Sequence, residues 1–219
     1  MSTLPDSQAI WEKRYRQALV KGSKLVYEPW LQRWHGFLTP RSGALALDLG
    51  CGRGYDSYEL SDSGFQVVAA DFAWTALQAA QQRTLQARVV QVDLRDGLPF
   101  ADAAFQVVVA NLSLHYFSHQ QTCAILRQIR YCLAAHGLFL ARFNSSNDVN
   151  FGAVGHPEVE PGYFLVDGEY KRFFDHSSVV KLFEDGWQLH NCEEMTTQRS
   201  GKPKVLWEVV VEKTPISQL

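Results

Sequence analysis

Three carboxylates fall at intervals that can assemble one binding site: Asp48 in "ALDLGCGRGYDSYEL" (residues 46–60), Asp71 in "VVAADF" (67–72) and Asp93 in "VVQVDL" (89–94). Behind the first acid the chain thins to Gly50, Cys51, Gly52, Arg53 and Gly54, and the glycines let backbone amides come close to a ligand. The spacing departs from the dinucleotide fingerprint G-x-G-x-x-G, because Tyr55 stands where the third small residue belongs. An acid such as Asp48, aimed at the loop mouth, repels a pyrophosphate and suits a cofactor with an ammonium group and a sulfonium. Asp71 comes 21 residues after Gly50 and can accept two ribose hydroxyls. Asp93 can accept an adenine amino group, with Phe72 and Leu94 as apolar walls. One aspartate at a strand end is ordinarily a helix cap. Three of them with the glycine loop point to a ligand.

The elements that must position these residues are legible in the alternation around them. Short apolar runs at 44–49, 65–71, 87–93, 105–112 and 137–143 read as strands. Helical periodicity fills 54–62, 74–84 and 119–134, whereas "LRDGLPFADAA" reads as a loop. Near-continuous apolar strands imply burial on both faces, hence an α/β, doubly wound, mostly parallel sheet. Residues 6–38 read as two amphipathic helices, one carrying Trp11, Tyr15 and Leu19, the other Trp30, Leu31, Trp34 and Phe37. Residues 144–168 are polar and weakly periodic, the pattern of a functional or disordered loop. A helix near 176–185 and two strands joined around "RSGKPK" end the pattern in an antiparallel hairpin at the sheet edge. The expectation is one domain over 1–219: a helical cap (1–40), a cofactor-binding core (43–144), a substrate loop or lid (145–175), and a helix with an edge hairpin (176–214).

"LDLGCGRG" (47–54), "ADF" (70–72), "VDL" (92–94), "LPFADAAFQVVVANLSLHYF" (98–117) and "LRQIRYCLAAHGLFLARF" (126–143) follow one another in an order that resembles a class I S-adenosylmethionine-dependent methyltransferase. The resemblance implies a seven-stranded sheet with a C-terminal antiparallel hairpin. It implies S-adenosyl-L-methionine as cofactor and S-adenosyl-L-homocysteine as product, with Asp48, Gly50, Cys51, Gly52, Asp71, Phe72, Asp93, Leu94, Asn111 and Leu112 lining the cofactor site. More narrowly, "LSLHYF", "RFNSSNDVNFGA", "GEYKRFF" and "LWEVVVEK" resemble small bacterial methyltransferases near the tellurite-resistance type. In related small-molecule enzymes an N-terminal helix closes over the methionine end of the cofactor. That implies Trp11, Arg14 and Tyr15 as further cofactor contacts, although an aromatic stripe at helical spacing is also how a helix anchors to a core.

His115 and Tyr116 follow the fourth strand, at the edge where such sheets hold their ligands, and are the catalytic candidates. An imidazole titrates near neutral pH and can act as a base. Transfer to an already nucleophilic atom needs alignment and exclusion of water instead, and a buried histidine is as readily a packed one. Tyr170 and Arg172 in "GYFLVDGEYKRFF" are the substrate candidates.

With 21 basic and 23 acidic side chains among 219 residues, the chain has no cationic footprint for nucleic acid. No run reaches the roughly 20 apolar residues of a bilayer span, and the first residues lack the apolar stretch of a signal peptide. Cys51, Cys123, Cys132 and Cys192 show neither disulfide nor zinc spacing, so no metal is expected. The expectation is a cytoplasmic enzyme, monomer or homodimer, that binds neither membrane nor nucleic acid and methylates a small molecule at a sulfur, oxygen, nitrogen or chalcogen-oxyanion nucleophile. The alternatives are an NAD(P)-dependent oxidoreductase and an S-adenosylmethionine-binding protein without turnover.

Overall fold

The computed structural model describes residues 7–20 and 27–215. Its frame is a seven-stranded sheet in the order β3-β2-β1-β4-β5-β10-β9. The strands are β1 (Leu45–Leu49), β2 (Gln66–Asp71), β3 (Arg88–Gln91), β4 (Phe105–Asn111), β5 (Leu133–Asn144), β9 (Trp187–Arg199) and β10 (Lys202–Lys213). The first five run parallel, and β10 joins β5 antiparallel and carries β9 as the edge. This is the expected doubly wound sheet with its terminal hairpin, turned through Ser200 and Gly201, both with φ in the left-handed region.

Side chains alternate across the strands, which divides the core into two layers. Leu47, Leu49, Val108, Phe139 and Phe143 pack under α5 (His119–Cys132) through Ile125, Leu126 and Ile129. Ala46, Val107, Val109, Leu138 and Leu140 pack against Leu60 of α3 (Tyr55–Asp62) and against Trp30, Leu31 and Leu38. At this end of the sheet the parity of β1 also directs Asp48 away from the α5 layer, beneath α3. α4 (Trp74–Arg83) follows β2, and the stretch between β3 and β4 is a loop, as its sequence predicts.

Three expectations need correction. The second N-terminal helix is broken: a 3-10 turn over Trp30–Trp34, one helical turn α2 (His35–Leu38) and a second 3-10 turn over Thr39–Arg41. Pro40 in that last turn lacks an N–H to continue an α-helical ladder. Leu19 of α1 (Ser7–Val20), expected on the buried stripe, is 47% exposed. The polar stretch after β5 is likewise no open loop. It folds into an antiparallel meander, β6 (Glu158–Glu160), β7 (Tyr163–Val166) and β8 (Glu169–Arg172), before α6 (His176–Lys181). Phe164 on the meander packs on Ala153, Val166 and Phe173, a small core whose long-range contacts no local periodicity announces. No helix among the described residues is long and apolar enough to cross a membrane.

Candidate functional site

A cavity of about 930 Å³ opens at the carboxyl ends of β1, β2 and β4, between α1 on one side and the meander with the β9–β10 tip on the other. Gly50, Cys51 and Gly52 form part of its floor. Gly52 has φ +51, and a Cβ there would stand 3.0 Å from the Tyr15 hydroxyl. At Gly54 (φ +72) a Cβ would stand 2.7 Å from the Ala80 backbone. The loop is therefore thin for two reasons: Gly54 lets α3 and α4 close together, and Gly52 keeps the floor open beneath Tyr15.

Asp71, 5% exposed, lines the cavity braced by two amides: Gly52 N–H donates to Oδ2 and Ala73 N–H to Oδ1, each at 2.9 Å. Burial raises its pKa against those bonds. Each oxygen keeps a lone pair for a further donor. Phe72, Asp93 and Leu94 line the same end, and Asp93 is gripped by Arg95, with Nη2 at 2.5 Å and Nε at 2.9 and 3.0 Å. The Arg95 hydrogen bond holds the Asp93 carboxyl below its ordinary range. Asn111 and Leu112 face the cavity at the end of β4. Leu112 takes φ 54, a costly conformation for a γ-branched residue, and its N–H donates to the Arg142 carbonyl at 3.0 Å.

Asp48 does not face the mouth. It is 1% exposed beneath α3 and accepts the Ser57 hydroxyl at 2.5 Å; burial first, and the nearby Asp56 charge next, push its carboxyl up. The carboxylate that reaches the cavity from this side is Asp56, which the sequence reading missed. Its oxygens accept Trp30 Nε1 at 2.8 Å, Asn111 Nδ2 at 2.9 Å and the Tyr27 hydroxyl at 3.0 Å. Its position in the first turn after the glycine loop was the available signal.

Trp11, Tyr15 and Tyr116 line the cavity as an aromatic wall, with Trp11 edge-on to Tyr116 at 5.4 Å and tilted against Tyr15 at 5.6 Å. Burial raises the pKa of both tyrosines, so their hydroxyls stay protonated. Arg14, expected beside them, points elsewhere: its Nη1 lies 2.5 Å from Glu169 on β8, and its guanidinium lies 5.0 Å from the Trp11 ring. Off the Trp11–Tyr15 stripe, it ties α1 to the meander.

His115 is 4% exposed and lies outside the cavity lining, its ring 4.1 Å from that of Tyr116. Its Nδ1 has no hydrogen-bond partner among the described residues. Burial, then the charges of Lys204, Arg199 and Lys171, drive its pKa well down. It is a packed histidine beside Tyr116 that does not reach the cavity lining. Arg172 is corrected too. It is 5% exposed, donates to the Phe117 and Pro161 carbonyls at 3.2 and 3.1 Å, and pairs with Glu160. It fastens the meander to the loop after β4, whereas Tyr170 does line the cavity.

The sequence reading also missed the far wall, where Tyr163, Thr197, Arg199, Lys204 and Arg142 reach the cavity. Arg142 is held by Glu28 at 3.1 Å and Glu208 at 2.7 Å. These residues lie about 90 to 150 positions from the glycine loop: the sheet order β4-β5-β10-β9 brings Arg142, Thr197, Arg199 and Lys204 to it, and the meander brings Tyr163.

Residues 46–137 match the family model described as a methyltransferase domain. A mitochondrial arginine-hydroxylase of Homo sapiens is 37% identical over 102 residues, 46% of this chain and 29% of that protein. The demethylmenaquinone methyltransferase of Corynebacterium kroppenstedtii is 35% identical over 102 residues, 46% of this chain and 42% of that one. The chain thus spans less than half the length of either curated relative. Across the whole fold, the solved 1,6-didemethyltoxoflavin-N1-methyltransferase of Burkholderia thailandensis, with 1,6-didemethyltoxoflavin and S-adenosylhomocysteine bound, superposes with TM-score 0.71 at 17% identity. That superposition covers 98% of this chain and 92% of the other.

Proposed function

We propose that this chain is an S-adenosylmethionine-dependent methyltransferase of class I that acts, as a single domain, on a small molecule. The observation that carries the reading is the cavity itself. It joins the glycine floor, the buried Asp71 with its free lone pairs, and the Asp93–Leu94 pair at one end to an aromatic wall and a separate polar wall at the other.

The residues fit the cofactor group by group. Asp71 would accept the ribose hydroxyls, Phe72 and Leu94 would flank the adenine, and Asp93, already held by Arg95, would take its amino group. Asp56, oriented by Trp30, Asn111 and Tyr27, would receive the ammonium of the methionine part, whose positive charge would favour the ionised carboxylate against the burial that raises its pKa; Asp48, pushed up by burial beneath α3, is assigned no contact. When bound, the cofactor supplies a methyl group on a positive sulfur, open to in-line attack by an acceptor lone pair. The protein's own part is alignment and exclusion of water. Trp11, Tyr15 and Tyr116 shield that end of the cavity, and their electron-rich faces suit a sulfonium. The protonated Tyr15 and Tyr116 hydroxyls can donate hydrogen bonds but cannot serve as bases. With His115 behind the wall, no imidazole is assigned a proton-transfer role.

The acids argue against a nicotinamide dinucleotide, because Asp56 faces the cavity beside the loop that would have to hold a pyrophosphate. Calorimetric titration separates the readings: S-adenosylhomocysteine binds and NADH does not. The reverse result would make the protein an oxidoreductase. A methylation assay over thiol, phenol, amine and chalcogen-oxyanion acceptors, the last following the resemblance to the tellurite-resistance type, distinguishes an enzyme from a binding protein without turnover.

A further inference from the structure

The far wall of the cavity has its own chemistry. Lys202 pairs with Arg199 and Lys204 with Thr197 in the β9–β10 register, so Thr197, Arg199, Lys204 and Leu206 share one face of the hairpin. All four line the cavity. Arg199 and Lys204 are diagonal neighbours on that face, a placement in which like charges repel. Lys204, only 3% exposed, pairs with Asp148 and donates to Asn144 Oδ1 at 2.6 Å. That uses two of its three N–H donors and leaves one without an acceptor among the described residues. Arg199 makes neither hydrogen bond nor ion pair among the described residues, although its charge is felt at Tyr15, Tyr116, His115, Lys171 and Lys204. The carboxylates that do reach this end, Glu169 and Glu28, are already matched by Arg14 and Arg142.

Facing these cations are flat rings. Tyr163 and Tyr170 stack at 5.3 Å and 25°, and Trp11 stands edge-on to Tyr116 in the same cavity lining. A cation with its fork open, a second donor beside it and two aromatic pairs in one cavity select for a planar ligand with an anionic end.

We propose that the methyl acceptor is an aromatic acid, its ring lying among Tyr163, Tyr170, Trp11 and Tyr116 and its carboxylate, or an equivalent oxyanion, held by Arg199 and the spare Lys204 N–H. This rests on the methyltransferase reading and adds the substrate class. Burial, with the charges of Arg199 and Lys171, holds Lys204 down to about 8 against the pull of Asp148, and an anion at this wall relieves that repulsion.

The test is calorimetry on the full chain saturated with S-adenosylhomocysteine, which checks the methyltransferase reading first: failure to bind the product overturns that reading and this one together. With product bound, salicylate, anthranilate and indoleacetate are each titrated against the neutral amide of the same ring. At least one acid is expected to bind about tenfold or more tightly than its amide, and Arg199→Gln to erase the preference. Arg199 is exposed, so the variant folds, and its affinity for S-adenosylhomocysteine serves as the control. Product binding with no acid preferred over its amide, or a preference that survives Arg199→Gln, overturns the aromatic-acid assignment and leaves the methyltransferase reading standing.

Discussion

Glu12 of α1 caps α4 from outside: its carboxylate accepts the backbone N–H of Trp74 at 2.5 Å and of Thr75 at 3.1 Å, along with the Thr75 hydroxyl at 2.5 Å. The residue in the α4 cap position, Ala73, has no side chain to do this. One acid therefore stabilises a helix of the core and pins the helix that covers the cavity. Arg14, bonded to Glu169, and Gln8, bonded to the Phe72 carbonyl at 2.9 Å, extend the attachment on either side.

Glu12→Ala should accordingly free α1 more than it destabilises the sheet. Loss of a cap costs about 0.5–2 kcal/mol. Burial raises the Glu12 pKa, but its bonds to Thr75 and Trp74 outweigh that, and the net value lies below 4.5. A carboxyl depressed in the folded state stabilises above its unfolded pKa and loses that contribution as pH falls through the folded value. The wild-type and Glu12→Ala melting temperatures should therefore differ at pH 7 and converge as pH falls from the unfolded Glu range through the lower folded pKa of Glu12. A difference that does not shrink on acidification would show that the carboxylate charge is not what holds α1.

Asp71→Ala should weaken S-adenosylhomocysteine binding by about one to two decades, the worth of a hydrogen-bonded charged contact of about 1.5–3 kcal/mol. Some loss of stability should accompany it, since the Gly52 and Ala73 amides lose their acceptor. An unchanged dissociation constant, measured on folded variant, removes Asp71 from the site.

The two glycines should fail in different ways. Gly52→Val puts a branched side chain against Tyr15 at a left-handed φ, so binding disappears and the backbone strain takes some stability with it. Gly54→Ala forces a Cβ onto the Ala80 backbone and should lower stability by about 1–3 kcal/mol through overpacking. Normal ligand binding by Gly52→Val, or unchanged stability in Gly54→Ala, would refute the roles assigned to them.

His115 predicts a pH dependence of folding rather than of rate. Its folded pKa is depressed by burial, so between that value and about 6.5 the unfolded chain binds the extra proton, and stability falls as pH drops through that window. His115→Phe should flatten this slope. A slope that persists in the variant assigns the effect to other groups.

We expect α1 and the meander to tighten together when the cavity fills. Amide exchange in 7–20 and 144–172 should slow on addition of S-adenosylhomocysteine, and further with a bound acceptor. Identical exchange with and without ligand would mean that these elements form a rigid wall, not a lid.

Local sequence determined the half of the protein in which position along the chain and position in space coincide. The strand pattern, the helix periods, the glycine loop and the acids at 71 and 93 all act within one βαβ unit of their neighbours, so spacing alone places them at one sheet edge. Asp48 shows where that logic stops. Its type and position were visible, but whether it faced the mouth or the underside of α3 was decided by strand parity together with Ser57, nine residues on. His115 and Arg172 carry reactive side chains at suggestive places, and packing turned both away: one against the Tyr116 ring, the other into carbonyls and a carboxylate. The far wall of the cavity was beyond any local reading. Arg199 and Lys204 meet the cavity because an antiparallel hairpin adds to the far side of β5, a long-range pairing whose register no spacing around the residues themselves encodes.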